Sequence, residues 1–304
     1  MLSLYATELL ARTTFPEPGS SIACAVSGGP DSLALLVLAV ASGCDVVAYH
    51  VDHGIRPDSS AEAAVVERAA NRLGARFETR SVYCVPGPNL EARARSARYA
   101  VLPDGVATGH TADDQAETVL LNLLRGSGLD GLCGMKPGPV HPILALRRAE
   151  TERLVAALNL EVVRDPSNSD SRFRRNRVRH ELLPLAAEIA GRDLVPLLCR
   201  QALLLRDDQN LLEELSLGVD PTIASELTSA PLPIARRALR RWLRRISPDG
   251  QPPDAAALSR VLGVASGEWL AAQISGGARI RRSKGRLLAE LAGEPRAARA
   301  QTTS

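Results

Sequence analysis

The sequence contains few aromatic residues: Phe, Trp and Tyr make up 3% of its 304 residues, while apolar residues make up 45%. Its core must therefore be built from leucine, valine and alanine. No apolar run reaches the length that crosses a bilayer, and the first residues lack the charged start and apolar core of a signal peptide. We therefore expect a cytoplasmic protein with no membrane partner.

The cysteines show no pairing pattern. There are five of them, an odd number, and none forms a C-x-x-C motif. This arrangement argues against a disulfide framework and against a cysteine zinc site.

Two common nucleotide-binding signatures are also missing, G-x-x-x-x-G-K-S/T and G-x-G-x-x-G. A different glycine turn stands between a strand-like run at 22–26 and a helical run at 33–40. Its residues are Ser27, Gly28, Gly29, Pro30, Asp31 and Ser32. A strand, a glycine turn and a helix together place free backbone N–H groups in front of an anion. The alternative is an ordinary connection whose small polar residues serve only the turn.

Further strand-like runs at 45–51, 75–82 and 105–109 alternate with helical runs. This alternation predicts a parallel sheet covered by helices on both faces. A long glycine- and proline-rich loop is expected at 126–146, and the pattern is mostly helical from about 185. We predict a catalytic domain at 1–200, a helical basic domain at 201–292 and a disordered tail at 293–304.

Charge is distributed unevenly along the chain. Residues 1–110 carry 9 basic and 11 acidic groups, whereas residues 171–304 carry 22 basic and 14 acidic groups. The second part of the chain is therefore the part suited to a polyanion.

Polar residues follow the predicted second and fourth strands, where a parallel sheet binds its ligands. Asp52 follows one strand, and His110 begins the segment that leads from the other into a helix with Asp113, Asp114 and Glu117. These acids share one helix face and could bind Mg²⁺ or an amine substrate. Acidic capping of the helix is the alternative, and His110 could either orient a phosphate or cap the helix.

Two arginine clusters suit phosphate groups. One has five arginines within residues 172–180 and no acid, and the other has six within 236–245 around a tryptophan. A solvated charged helix is the alternative for both.

With these motifs in place, the sequence resembles the tRNA(Ile)-lysidine synthetase family of PP-loop ATPases. The resemblance covers about residues 20–185 and rests on the segments 27–32, 51–56, 89–95, 108–118, 122–128, 165–168 and 175–179. The last third of the chain matches only loosely.

The resemblance implies a five-stranded, doubly wound parallel sheet of the adenine-nucleotide α-hydrolase type, followed by a smaller helical domain. It implies that ATP activates the C2 oxygen of the wobble cytidine in tRNA(Ile) with a CAU anticodon. Free L-lysine then displaces AMP. The cofactors implied are ATP and Mg²⁺.

The site assignments combine this resemblance with the residue patterns described above, since Arg237 and Arg241 lie outside the matching segments and come from the second arginine cluster. The residues assigned to ATP are Ser27, Gly28, Gly29, Pro30, Asp31, Ser32, Gly109 and His110. Those assigned to catalysis are Asp52, Asp113, Asp114, Glu117 and Arg125, with Asp52 and Asp113 as Mg²⁺ ligands. Those assigned to tRNA are Arg172, Arg174, Arg175, Arg177, Arg179, Arg237 and Arg241.

The sequence departs from the family at one point: His141-Pro-Ile-Leu stands where Arg-Pro-Leu-Leu is usual. Three alternatives remain open, namely a PP-loop tRNA thiolase, a non-catalytic tRNA-binding relative and a nucleotide sensor. Whether the chain forms a homodimer is also open.

Overall fold

The computed structural model describes residues 4–52, 59–82, 93, 96–97, 99–163, 170–247 and 253–290. Motif residues 53–56 and 165–168, half of the helix predicted near 89–102, and the tail at 293–304 lie outside the described residues. The described part contains no helix with the length and hydropathy needed to span a bilayer.

The chain divides into two compact units, Met1–Leu205 and Arg206–Ser304. The first unit is built from alternating strands and helices. Its strands are β1 (Ser21–Ala25), β2 (Asp45–Asp52), β3 (Arg76–Ser81) and β4 (Ala107–Thr108). Its helices begin with α1 (Leu4–Leu10), α2 (Pro30–Ala41), α3 (Ser59–Leu73), α4 (Ala112–Leu124), α5 (Leu129–Leu132) and α6 (Arg148–Ala157). They continue with α7 (Arg174–Arg177), a π-helical turn (Val178–Leu182), α8 (Leu183–Ala190) and α9 (Val195–Leu217), which extends past residue 205.

The four strands form one parallel sheet in the order β3-β2-β1-β4. Because the strands are parallel, their carboxyl ends lie at one edge of the sheet, where the segments after β1 and β4 begin. The parallel sheet is confirmed, but it has four strands within the described residues instead of five. The backbone N–H of Thr108 in β4 donates to the carbonyl of Val140, 2.9 Å away. The loop that contains Val140 is therefore hydrogen-bonded to β4.

Helix α2 lies in the centre of the first unit. Every residue from Ser32 to Ala39 is buried, which explains why this helix has almost no polar face. Leucine, alanine and valine side chains fill the surrounding core, as the low aromatic content predicts. The core thus holds the amino end of α2, and the glycine turn before it, at the sheet edge.

The second unit combines helices with a small antiparallel sheet. Its helices are α10 (Ala224–Ser229), α11 (Leu232–Ile246) and α12 (Ala255–Ser266). Its strands are β5 (Ala271–Gln273), β6 (Arg279–Ser283) and β7 (Arg286–Glu290). The expected helical region is confirmed, and it also contains a three-stranded antiparallel sheet that the sequence analysis did not predict. Lys284 and Gly285 both have positive φ, which is the backbone of a two-residue hairpin turn between β6 and β7.

The aromatic residues are divided between the units. Both tryptophans, Trp242 and Trp269, belong to the second unit. The four tyrosines belong to the first unit and are Tyr5, Tyr49, Tyr83 and Tyr99.

Candidate active site

The glycine turn forms a compact loop at the end of β1. The backbone N–H of Ser27 donates to Oγ of Ser32 at 3.1 Å, and this hydroxyl donates to the carbonyl of Gly29 at 2.9 Å. Gly28 has φ +84°, and a Cβ there would lie 2.6 Å from Cγ2 of Val163. The loop therefore requires glycine at this position for both its backbone conformation and its packing.

The backbone N–H groups of Gly28, Gly29, Asp31 and Ser32 make no hydrogen bond to another described residue. Pro30 begins α2 and has no N–H to offer. Four free N–H groups at the amino end of a long helix form a concave site for an anion.

These loop residues line a cavity of about 490 Å³. The segments after β1 and β4 both contribute, and β2 contributes Tyr49, His50 and Val51 from the strand itself. The predicted site residues in its lining are Ser27, Gly29, Pro30, Asp31, Ser32, Gly109, His110, Asp114 and Arg179. Gly109 allows two of these segments to approach, because a Cβ on it would lie 2.7 Å from the carbonyl oxygen of Asp31.

Two histidines share one hydroxyl at the end of β4. Oγ1 of Thr108 lies 2.7 Å from Nδ1 of His110 and 2.8 Å from Nδ1 of His141. The two rings are edge-to-face at 5.1 Å. A single hydroxyl proton cannot serve both rings, so at least one histidine carries its proton on Nδ1. Thr108 therefore orients both rings, and His141 packs against the ring of His110.

Asp114 and Glu117 on α4 lie in a cluster of arginines. Oδ2 of Asp114 accepts from the backbone N–H of Thr111 at 2.9 Å, so this acid does cap its helix. Its Oδ1 accepts from Arg148 and Arg175, both at 3.0 Å.

Glu117 is completely buried and accepts four hydrogen bonds from three guanidinium groups. Arg148 lies at 3.3 Å, Nε of Arg175 at 2.7 Å, and Arg179 donates from Nε at 2.6 Å and from its terminal nitrogen at 3.1 Å. The charge of this acid is therefore fully compensated by arginine in the chain alone.

Asp113 faces away from the cavity. It accepts two hydrogen bonds from Arg147, at 3.1 and 3.2 Å, and one from the backbone N–H of Arg148 at 2.8 Å. Burial by itself would raise the pKa of Asp113, but these hydrogen bonds outweigh it and hold the pKa below its ordinary value. The pKa of Asp114 is also lowered, because the charges of Arg148 and Arg175 outweigh its burial.

Asp31 links the loop to this cluster. It accepts a hydrogen bond from Thr151 and another from Nε of Arg148 at 3.3 Å. Burial nevertheless raises the pKa of Asp31 to about 6, against the opposing effects of Thr151 and Arg148. Arg148 therefore joins the anion-binding loop to both acids on α4.

The remaining predicted catalytic residues lie at separate places. Asp52 ends β2 at the sheet edge, and Arg125 follows α4 and lines a different groove. Within the described ranges, no three acidic, histidine or cysteine side chains converge on a ready-made metal site.

The predicted tRNA-binding arginines differ in their surroundings. Arg175 and Arg179 point to the acids of α4, whereas Arg172, Arg174 and Arg177 are exposed. In the second unit, the side chain of Arg237 is only 10% exposed and lies near Glu213, and Arg241 donates to Glu213 and Ser216. The sequence showed no acid near 172–180, but the fold brings two there.

Sequence reasoning missed Arg147, Arg148 and Thr151. A signal was present: consecutive arginines at the first turn of a helix oppose the helix dipole, which is unfavourable unless acids face them. It also missed His50, a buried residue of the cavity lining whose Nδ1 lies 3.0 Å from the carbonyl of Val26.

Comparisons with known proteins agree with this geometry. The PP-loop domain model matches residues 4–186. The tRNA(Ile)-lysidine synthase of Mycolicibacterium paratuberculosis is 44% identical over 234 residues, covering 72% of this chain and 73% of that protein. The enzyme of the same name from Rhodococcus erythropolis is 42% identical over 249 residues, covering 77% of each chain.

A solved structure shares the fold: the U34-tRNA thiolase NcsA of Methanococcus maripaludis, at a TM-score of 0.52 and 17% identity, covering 66% of this chain and 78% of that one. The loop and the acidic helix thus belong to a PP-loop domain. The sequence relatives show which family of PP-loop proteins this is. The chain belongs to the tRNA(Ile)-lysidine synthase family of PP-loop proteins.

Proposed function

We propose that the chain uses ATP to join free L-lysine to C2 of the wobble cytidine in tRNA(Ile) with a CAU anticodon. In the first step the C2 oxygen attacks the α-phosphorus of ATP, and pyrophosphate leaves. In the second step the ε-amine of lysine attacks C2, and AMP leaves. The product pairs with A, so the tRNA decodes isoleucine codons instead of the methionine codon.

The observation that carries the proposal is the loop at residues 27–32. Its free N–H groups face a cavity of about 490 Å³, which suits the phosphates of ATP. Family membership supplies the identity of the reaction.

Mg²⁺ usually binds through one or two carboxylates and the phosphates of its substrate. Asp31 in the cavity lining fits this role, and Asp52 at the end of β2 is the second proposed ligand. When bound, the ion would neutralise phosphate charge. Asp113, also proposed as a ligand, would have to release Arg147 first.

The lysine ammonium must lose a proton before its amine can attack. Asp114 is poorly suited to accept this proton, because the charges of Arg148 and Arg175 hold its pKa below the ordinary value. Asp114 lines the cavity, keeps its charge and is proposed to attract the ammonium. Glu117, buried against three arginines, is proposed to hold those arginines in place. Arg125 remains the proposed substrate-positioning residue.

In the second unit, the exposed arginines of α11 are better candidates for tRNA binding than the predicted Arg237 and Arg241. Arg236 and Arg244 are exposed and form no ion pair with a described residue, whereas Arg237 and Arg241 are held by Glu213. The helix contains six arginines and no acid. We therefore propose that Arg236 and Arg244 contact the RNA backbone.

The test is incubation with labelled lysine, ATP and a tRNA(Ile) transcript. Label should enter the wild-type reaction, should be absent with Asp31→Ala, and should be absent when the wobble base is uridine. A reaction that requires a sulfur donor would instead support the thiolase alternative. Tight tRNA binding without AMP release would support the non-catalytic alternative.

A further inference from the structure

A groove of about 500 Å³ lies at the carboxyl end of α4, and its apolar residues have no role in the proposed reaction. Its apolar lining comes from α4, the π-helical turn and α8. The apolar residues are Leu121, Leu124, Val178, Leu182 and Leu185. All of these residues belong to the first unit.

The apolar part of the groove is open to solvent. The side chains of Leu124 and Leu185 are 68% and 53% exposed. Covering an exposed leucine with an apolar partner is favourable, because it removes apolar surface from water. Two exposed leucines beside further apolar residues in one concave place indicate a binding surface.

The rim of the groove is cationic. Arg125, Arg174 and Arg177 line it with one acid, Glu181, which is paired with Arg177 at 2.9 Å. Neither Arg125 nor Arg174 has an ion-pair partner within the described residues. A second copy of the chain, docked symmetrically, would oppose these charges with the same charges, which argues against a dimer contact here.

The groove and the acidic cluster share two elements. On α4, Glu117 and Leu124 are separated by seven residues, or about 10 Å along the helix axis. In the segment after α6, Arg175 and Arg179 point to the acids, while Arg174 and Val178 line the groove. The groove is therefore within reach of a nucleotide next to one held at the acids.

We propose that this groove binds an unpaired nucleotide adjacent to the cytidine that is modified. The base would lie on Leu124, Val178 and Leu185, and Arg125 and Arg174 would bind the flanking phosphates. Unpaired bases can pack between apolar side chains and stack on guanidinium planes, and arginine binds the backbone. This inference rests on the proposed function and adds to it a second nucleotide contact outside the reacting centre.

The test uses the full chain and two anticodon stem-loop RNAs. Each carries 2-aminopurine beside the reactive cytidine. In one RNA it replaces the anticodon adenine on the 3′ side of the cytidine, and in the other it replaces the nucleotide on the 5′ side. Binding should change the fluorescence of at least one probe. Leu185→Asp should abolish this change and weaken RNA binding about tenfold, while Leu185→Met should preserve both. Binding of ATP should be the same in all variants.

Ile189→Asp is the matched control, because Ile189 lies on the same helix, is 79% exposed and does not line the groove. Equal effects of Leu185→Asp and Ile189→Asp would overturn the inference. So would a wild-type dimer that Leu185→Asp converts to a monomer. Lysine transfer with two silent probes would overturn this inference alone, whereas failure of the wild type to bind either RNA would overturn the proposed function as well.

Discussion

Glu117→Gln is the most informative single substitution. The wild-type side chain is completely buried, and its two oxygens accept four hydrogen bonds from three arginines. Glutamine has nearly the same shape, but it replaces one accepting oxygen with an NH₂ donor and removes the charge. Three guanidinium groups would then share fewer acceptors in a poorly solvated place.

Loss of one partner from a buried ion pair costs about 3–5 kcal/mol. The three arginine side chains here are 20%, 24% and 29% exposed, so water can partly replace the lost oxygen. We therefore expect the lower end, about 3 kcal/mol. For a unit of this size, that corresponds to a fall of about 10 °C in the melting temperature.

The assay is thermal unfolding followed by circular dichroism. Glu181→Gln is the matched control, because Glu181 pairs with Arg177 on the surface of the same segment, where such pairs contribute little. Its melting temperature should equal that of the wild type. The double variant with Glu117→Gln and Arg179→Gln should lose less unfolding free energy than the sum of the losses in the two single variants. A shift of less than about 2 °C, on the scale just used, would refute the inference that this cluster is a buried, interdependent network.

Three further outcomes are expected. Because the pKa of Asp31 is raised to about 6, the folded state binds its proton more tightly than the unfolded state, and this residue's contribution to stability falls as pH rises from about 4 to about 6. Urea unfolding should show this fall in the unfolding free energy between pH 4 and pH 6 in the wild type and not in Asp31→Asn. Gly28→Ala should lower stability by about 1–2 kcal/mol and weaken ATP binding measured by calorimetry, more than Gly126→Ala, which has the same positive φ but open space around it. Arg236→Gln should weaken tRNA binding and reduce its salt slope by about one, whereas Arg237→Gln should mainly lower the melting temperature.

The sequence was sufficient for features that depend on local pattern. The alternation of strand-like and helical apolar runs predicted the parallel sheet. The small residues at 27–32 predicted a turn suited to an anion. The parallel topology then implied that His110 and Asp114 reach the same cavity as that turn, as they do.

Pairings between distant segments could not be predicted from the sequence. Arg175 and Arg148 are separated from Glu117 by 58 and 31 residues, and only the fold brings them to it. The arginines at 172–180 look unpaired along the chain for the same reason. The strands at 271–290 were missed because the arginines in them masked the alternation, although the Lys284-Gly285 turn was a usable signal.

The separation of the aromatic residues has an experimental consequence. Indole emission originates from Trp242 and Trp269 alone, so it monitors residues 206–304, while phenol absorbance monitors residues 1–205. One unmodified sample can therefore show, in a single titration with denaturant, whether the nucleotide-binding half and the arginine-rich half lose structure together or in succession.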